Sequence, residues 1–261
     1  MRFLVALLLG AACAASTMAA DVVTREVSYT AGSVTAKGFL AAPIVEGRHP
    51  GVLVVHEWWG LNDYARDRAK ALAGLGYVAL AVDMYGDGRV ASHAKDAGGF
   101  AGAVMKDMPE ARRRFEAALK FLQAQPEVDP DRIAAIGYCF GGGVVLQMAA
   151  DGVPGLVAVA SFHGSFGAEV PEGVKPTAKM LVCHGEADSF VQPEAIAAFK
   201  KRMKAAGVDL TFVSYPGARH GFTNPAATAK AKEFDLDLAY DAGADKKSWA
   251  ELQKFLQSTL H

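Results

Sequence analysis

Residues 136–143 read IGYCFGGG. The run DRIAA at 131–135 before it has strand character, and VVLQMAA at 144–150 after it has helical character. A strand, a tight glycine-rich turn and a helix form the setting of a nucleophile elbow, whose usual signature is G-x-S-x-G. The central residue here is Cys139 rather than a serine. Either a sulfur nucleophile sits on an elbow, or a core thiol sits between glycines, and the rest of the chain decides between them.

The chain has 261 residues, about half of them hydrophobic, and a net charge of −1. That length suits one α/β domain with a substantial core. Charges that nearly cancel, with no basic stripe, argue against a nucleic-acid partner.

The segment MRFLVALLLGAACAASTMAAD at 1–21 carries one early basic residue, then an apolar run, then small residues. That is the pattern of a secretory signal peptide, with cleavage expected after Ala19 or Ala20. The apolar run is short for a membrane span, and a retained anchor is the alternative. Gly10 sits where a lipid-modified Cys13 would want an apolar or branched residue. The expected organisation is a signal peptide over 1–20 and a single domain over 21–261. The mature chain is then periplasmic or secreted, with no stable membrane insertion. Nothing in the sequence sets an oligomeric state.

Beyond residue 20 two cysteines remain, Cys139 and Cys183, each near the end of an apolar strand-like run. A domain of this size needs no covalent staple. One thiol as nucleophile and one as core filler is the preferred assignment over a disulfide.

Alternation over 22–40, with a turn at Gly32, predicts an antiparallel hairpin. Short continuous apolar runs at 50–57, 77–83, 156–164, 179–185 and 209–215 predict buried parallel strands. Helical spacing predicts helices over 62–75, capped by Asn62, and over 109–124, 193–206 and 245–260. Residues 84–100 are glycine-rich and read as an irregular excursion near the site. Strands alternating with helices argue for one mostly parallel sheet covered on both faces, with ligands at the carboxyl ends of its strands.

Three of those strand ends carry chemistry. Cys139 is followed by Asp188 in the turn HGEAD and by His220 in the turn PGARHG. Nucleophile, acid, histidine is the chain order of α/β-hydrolases. The histidine would take the thiol proton, and the carboxylate would fix its tautomer. An oxyanion hole would use the Phe140 N–H, at a helix N-terminus, and the Trp58 N–H in the loop HEWWGLN. Glu57 shares that loop and would lie near the thiol. Glu186 is a rival for the acid position, and Asp83 reads as a brace. His56, His163 and His184 read as structural or pocket-lining, and Trp58 and Trp59 as pocket wall. No Cys/His spacing typical of zinc occurs, so neither a metal nor another cofactor is expected.

The motifs HEWWGLN, VDMYGDG, GYCFGGG, GEADSFV and ARHGF, in that order, resemble the dienelactone hydrolase family, which comprises carboxymethylenebutenolidase-like α/β-hydrolases. The resemblance runs over almost the whole chain beyond residue 20. It implies an α/β-hydrolase fold and hydrolysis of a small-molecule ester or lactone by Cys139, His220 and Asp188. It also implies that Glu57 contacts the thiol and controls its ionisation. One departure stands out. Founding members hold a substrate carboxylate with arginines, one of them four residues after the catalytic histidine, where this chain has Asn224. Arg89, Arg112 and Arg219 are the remaining candidates for that charge. A non-catalytic member of the fold, binding a small molecule or a protein partner, is the alternative reading.

Overall fold

A computed structural model describes residues 21–261. The signal-peptide reading of 1–20 lies outside the described residues. Two strands, β1 (Val22–Ala31) and β2 (Val34–Pro43), form the expected hairpin around Gly32, whose φ of 64° suits a residue without a side chain. The sheet continues with β3 (His49–Val55), β4 (Val78–Val82), β5 (Val128–Tyr138), β6 (Ala158–Phe162), β7 (Lys179–Gly185) and β8 (Leu210–Tyr215). It is eight-stranded, in the order β1-β2-β4-β3-β5-β6-β7-β8. β2 pairs antiparallel with β4, and every pairing from β4 to β8 is parallel.

The unbroken apolar runs follow from burial on both faces. Leu53 and Val55 of β3 enter one core, while Val52 and Val54 enter the other. The first core is closed by α3 (Met108–Gln123), α4 (Phe140–Ala150) and α5 (Pro193–Ala205), through side chains such as Phe115, Val144 and Phe199. The second is closed by α1 (Asp63–Gly74) and α7 (Ala242–Leu260), through Leu72, Leu252 and Leu256. Each fully buried Leu or Phe of this kind contributes about 1.5–3 kcal/mol.

Two local readings need correction, and one helix carries no sequence signal. Residues 94–100 are not irregular: they open α2 (Ala94–Lys106), capped by the His93 ring, which accepts from the Lys95 N–H. Gly98, Gly99 and Gly102 lower its helix propensity by up to about 1 kcal/mol each. Burial of Ala97 and Val104 compensates. A further helix, α6 (Ala227–Phe234), follows the His220 turn without a strong periodic signal. Asn62 does occupy the N-cap of α1, but its side chain makes no capping hydrogen bond. Among the described residues no helix is long and apolar enough to cross a membrane.

Candidate active site

The elbow is built by close backbone approach. A Cβ on Gly137 would lie 2.1 Å from the Gly141 carbonyl oxygen, and one on Gly141 would lie 2.3 Å from that of Val55. Only glycine lets α4 start this close to β5 and β3. Between them Cys139 adopts φ 53° and ψ −115°, a conformation costing a side-chain-bearing residue on the order of 1–3 kcal/mol. The turn brings the side chain to the wall of a cavity of about 280 Å³, lined also by Trp58, Met105, Phe140, Phe190 and His220.

Asp188 and His220 converge on the same place from the ends of β7 and β8. The Asp188 carboxylate is fully buried, and its Oδ2 lies 2.8 Å from His220 Nδ1. Its Oδ1 accepts the Phe190 N–H at 3.0 Å. The His220 backbone carbonyl accepts from Ala239 N–H, which ties this loop to the segment after α6. Burial alone would pull the imidazole down. The neighbouring Cys139 charge, followed by hydrogen bonds to Asp188 and Cys139, overcomes this and raises it to about 10. Glu186, the rival acid, is exposed and makes no hydrogen bond to His220.

Among the described residues neither the Phe140 nor the Trp58 backbone N–H donates a hydrogen bond, so both are free to meet an oxyanion. The Trp58 loop is held by Tyr85, whose hydroxyl donates to the Trp58 carbonyl at 2.8 Å. It is held also by His56, whose Nδ1 contacts the Glu57 carbonyl and whose Nε2 accepts the Met84 N–H. Asp83 braces the adjoining turn by accepting from the backbone of Lys37, Tyr85, Gly86 and Gly88.

Glu57 is buried and its Oε2 accepts from Asn224 Nδ2 at 2.6 Å. No hydrogen bond joins it to Cys139. Sequence reasoning marked Asn224 only as a departure; its structural role is to hold Glu57. Burial raises the carboxyl's affinity for its proton, and Asn224, His220, Lys230 and Arg68 oppose that rise only in part. A group whose proton is held more tightly in the folded state contributes stability below its ordinary pKa and loses it as pH rises. Glu57→Gln is therefore expected to raise Tm relative to the parent above the ordinary carboxyl value of about 4.5. The gap should close at lower pH, where both side chains are neutral. A gap independent of pH in thermal denaturation would contradict this account.

None of the three candidate arginines lines the cavity. Arg89 binds the Tyr85 and Gly86 carbonyls, Arg112 pairs with Glu116, and Arg219 pairs with Asp237. Cys183 is buried beside the Tyr215 hydroxyl and, like Cys139, is a free thiol. Burial pushes its pKa up to about 12, as befits core filler. Among the described residues no three His, Cys, Asp or Glu side chains form a metal-binding group.

The profile of the dienelactone hydrolase family matches residues 36–260. The chain belongs to the dienelactone hydrolase family. It is an enzyme and a hydrolase, as its kinship indicates. The solved structure of m3DLH is 40% identical with a TM-score of 0.86, over 92% of this chain and 99% of that one. A dienelactone hydrolase-like promiscuous phosphotriesterase from metagenomic libraries is 37% identical with a TM-score of 0.85, over the same shares. Protein usf of Aquifex pyrophilus is 30% identical over 76% of this chain and 86% of its own.

Proposed function

We propose that the protein hydrolyses small uncharged esters or lactones, with Cys139 as nucleophile, His220 as acid–base and Asp188 as its orienting carboxylate. The observation that carries this reading is His220, held by Asp188 at 2.8 Å and raised by Cys139, at the wall of an apolar cavity. In the first step the Cys139 sulfur bonds to the carbonyl carbon, and the electron pair displaced to oxygen is met by the Phe140 and Trp58 N–H groups. Collapse breaks the bond to the leaving oxygen, which takes its proton from His220. Water, deprotonated by His220, then attacks the thioester and frees Cys139. For a lactone the leaving oxygen stays attached to the acid product.

An uncharged substrate is favoured by the cavity lining, which contains no Lys or Arg and whose cationic His220 already faces Asp188 and Cys139. An unpaired carboxylate placed there loses hydration without gaining a partner. The phosphotriesterase description of one relative suits an uncharged ester too.

Two measurements test the reading. Iodoacetamide should label one thiol stoichiometrically at mildly acidic pH and block hydrolysis in step; a thiol inert there counts against it. Neutral 4-nitrophenyl butyrate should be preferred over mono-4-nitrophenyl succinate by at least about tenfold in kcat/KM, the equivalent of ~1.4 kcal/mol. An equal or reversed preference would remove the claim about charge.

The domain over 21–261 is proposed to act as one unit after export to the periplasm or medium, with 1–20 removed as a signal peptide. Mass spectrometry of protein from the native envelope or culture fluid should find a chain starting near Asp21. A folded chain retaining Met1 would refute cleavage.

A further inference from the structure

His163, just after β6, is fully buried and does not line the cavity at Cys139. Among the described residues only four non-glycine residues have positive φ, and His163 at 39° and Cys139 at 53° are two of them. These two strained residues are bonded to each other: the Cys139 N–H donates to His163 Nδ1 at 3.1 Å, sharing that proton with the Phe162 carbonyl at 3.0 Å. Since Nδ1 accepts, the ring proton is on Nε2, which donates to Thr223 Oγ1 at 2.8 Å.

Thr223 is fixed in turn. Its hydroxyl shares a hydrogen bond of 2.6 Å with Tyr64, and its carbonyl accepts from Arg68 at 2.6 Å. Arg68 is paired with Asp245 of α7. Thr223 also lies in the loop that carries His220 and Asn224. A continuous polar chain thus runs from two helices on one face of the sheet, through the His220 loop, to the backbone of Cys139. The His163 and His220 rings meet edge to face, 5.2 Å apart. Burial, then the charge of His220, hold His163 well below the usual imidazole range. It stays neutral beside a protonated neighbour, and its Nδ1 lone pair remains available.

We infer that His163 is a positioning residue for the reaction: as the Nε2–H tautomer it ties the Cys139 backbone to the His220 loop and so sets where the thiol stands relative to His220. The inference rests on the proposed Cys139–His220 chemistry. Its physical basis is that Cys139 is held at a strained φ, and relaxation about that bond swings Sγ. A misplacement of about 1 Å costs on the order of 10²-fold in rate. The Phe162 carbonyl alone would fix the end of the strand but would tie the Cys139 backbone to no residue of the His220 loop.

Nitrogen-15 NMR of the parent's histidines tests the tautomer without any variant. Nε2–H at His163 is expected, and Nδ1–H overturns the inference. Thr223→Val then removes the acceptor of that proton while keeping the residue's shape. The expected result is a fall in kcat of about 10²-fold with KM unchanged, because neither residue lines the cavity. His220 should titrate below about 10, because the Cys139 charge has moved away from it. His163→Asn, which keeps an acceptor and tolerates positive φ, should retain more activity than His163→Ala. A role in stability alone would lower Tm and leave both kcat and the His220 titration unchanged, and that pattern overturns the proposal. Cys139→Ala separates the two levels. If it abolishes hydrolysis while Thr223→Val does not slow it, only the His163 inference fails. If Cys139→Ala still turns over normally, the proposed mechanism itself has failed, whatever Thr223→Val does.

Discussion

Cys139→Ala is expected to take ester hydrolysis down by about 10⁶-fold in kcat while leaving the fold intact. Loss of a nucleophile from a working triad has effects of that order, since the remaining groups have nothing to activate. Alanine keeps the Cβ that the elbow already accommodates at φ 53°, so no new backbone strain arises. The thiol faces the cavity and is only partly buried, so its removal opens no enclosed void in the core. Gly137 and Gly141, which permit the turn, are untouched.

The same variant has a second signature that does not depend on turnover. The Cys139 charge is the foremost influence raising His220 to about 10. Without it, burial should draw the imidazole back down, with only Asp188 resisting, through its hydrogen bond and its charge. An NMR titration of His220 in both forms reads this directly. Wild-type turnover in Cys139→Ala, on an ester the parent clearly cleaves, would rule out the nucleophile. An unmoved His220 titration would show that the thiolate does not face the imidazole.

Much of this site is legible in the sequence because the signals are local. A strand entering GYCFGGG must turn sharply, and Gly137 and Gly141 are where backbone meets backbone. Asp188 and His220 sit at the ends of apolar runs that could only be buried strands, and a parallel sheet brings such ends together. The unread features are those that no local pattern encodes. Asn224 and Glu57 are 167 positions apart, and their bond exists only because two loops meet over the sheet. His163 looked like any other strand-end histidine; its partners are a backbone N–H and a threonine on another loop. The helix Ala94–Lys106 was hidden by its glycines, whose low propensity is overridden by packing of Ala97 and Val104. Its wall of Ala101, Gly102 and Met105 therefore entered the cavity unannounced.

Asp188→Asn is expected to cost about 10³–10⁴-fold in kcat, for a reason the local hydrogen bonds make specific. The two carboxylate oxygens have different partners. Oδ1 accepts the Phe190 N–H at 3.0 Å, and Oδ2 faces His220 Nδ1 at 2.8 Å. An asparagine can satisfy Phe190 only by placing its carbonyl oxygen there, which turns its NH₂ toward His220. Nδ1 must then accept rather than donate, and the imidazole proton moves to Nε2, the nitrogen that has to receive the thiol proton. The base is thereby blocked, although its position is kept. The imidazolium also loses its carboxylate partner, so His220 should titrate lower than in the parent, in the direction opposite to the shift Asp188 now helps to produce. Glu186 cannot substitute, since it is exposed and makes no hydrogen bond to His220. A loss of less than about tenfold would mean that the amide flips at the expense of Phe190 and accepts from Nδ1–H. The carboxylate's charge would then not be needed. Combining Asp188→Asn with a measurement of the His220 tautomer distinguishes the two outcomes, since the blocked form carries its proton on Nε2 and the flipped form on Nδ1.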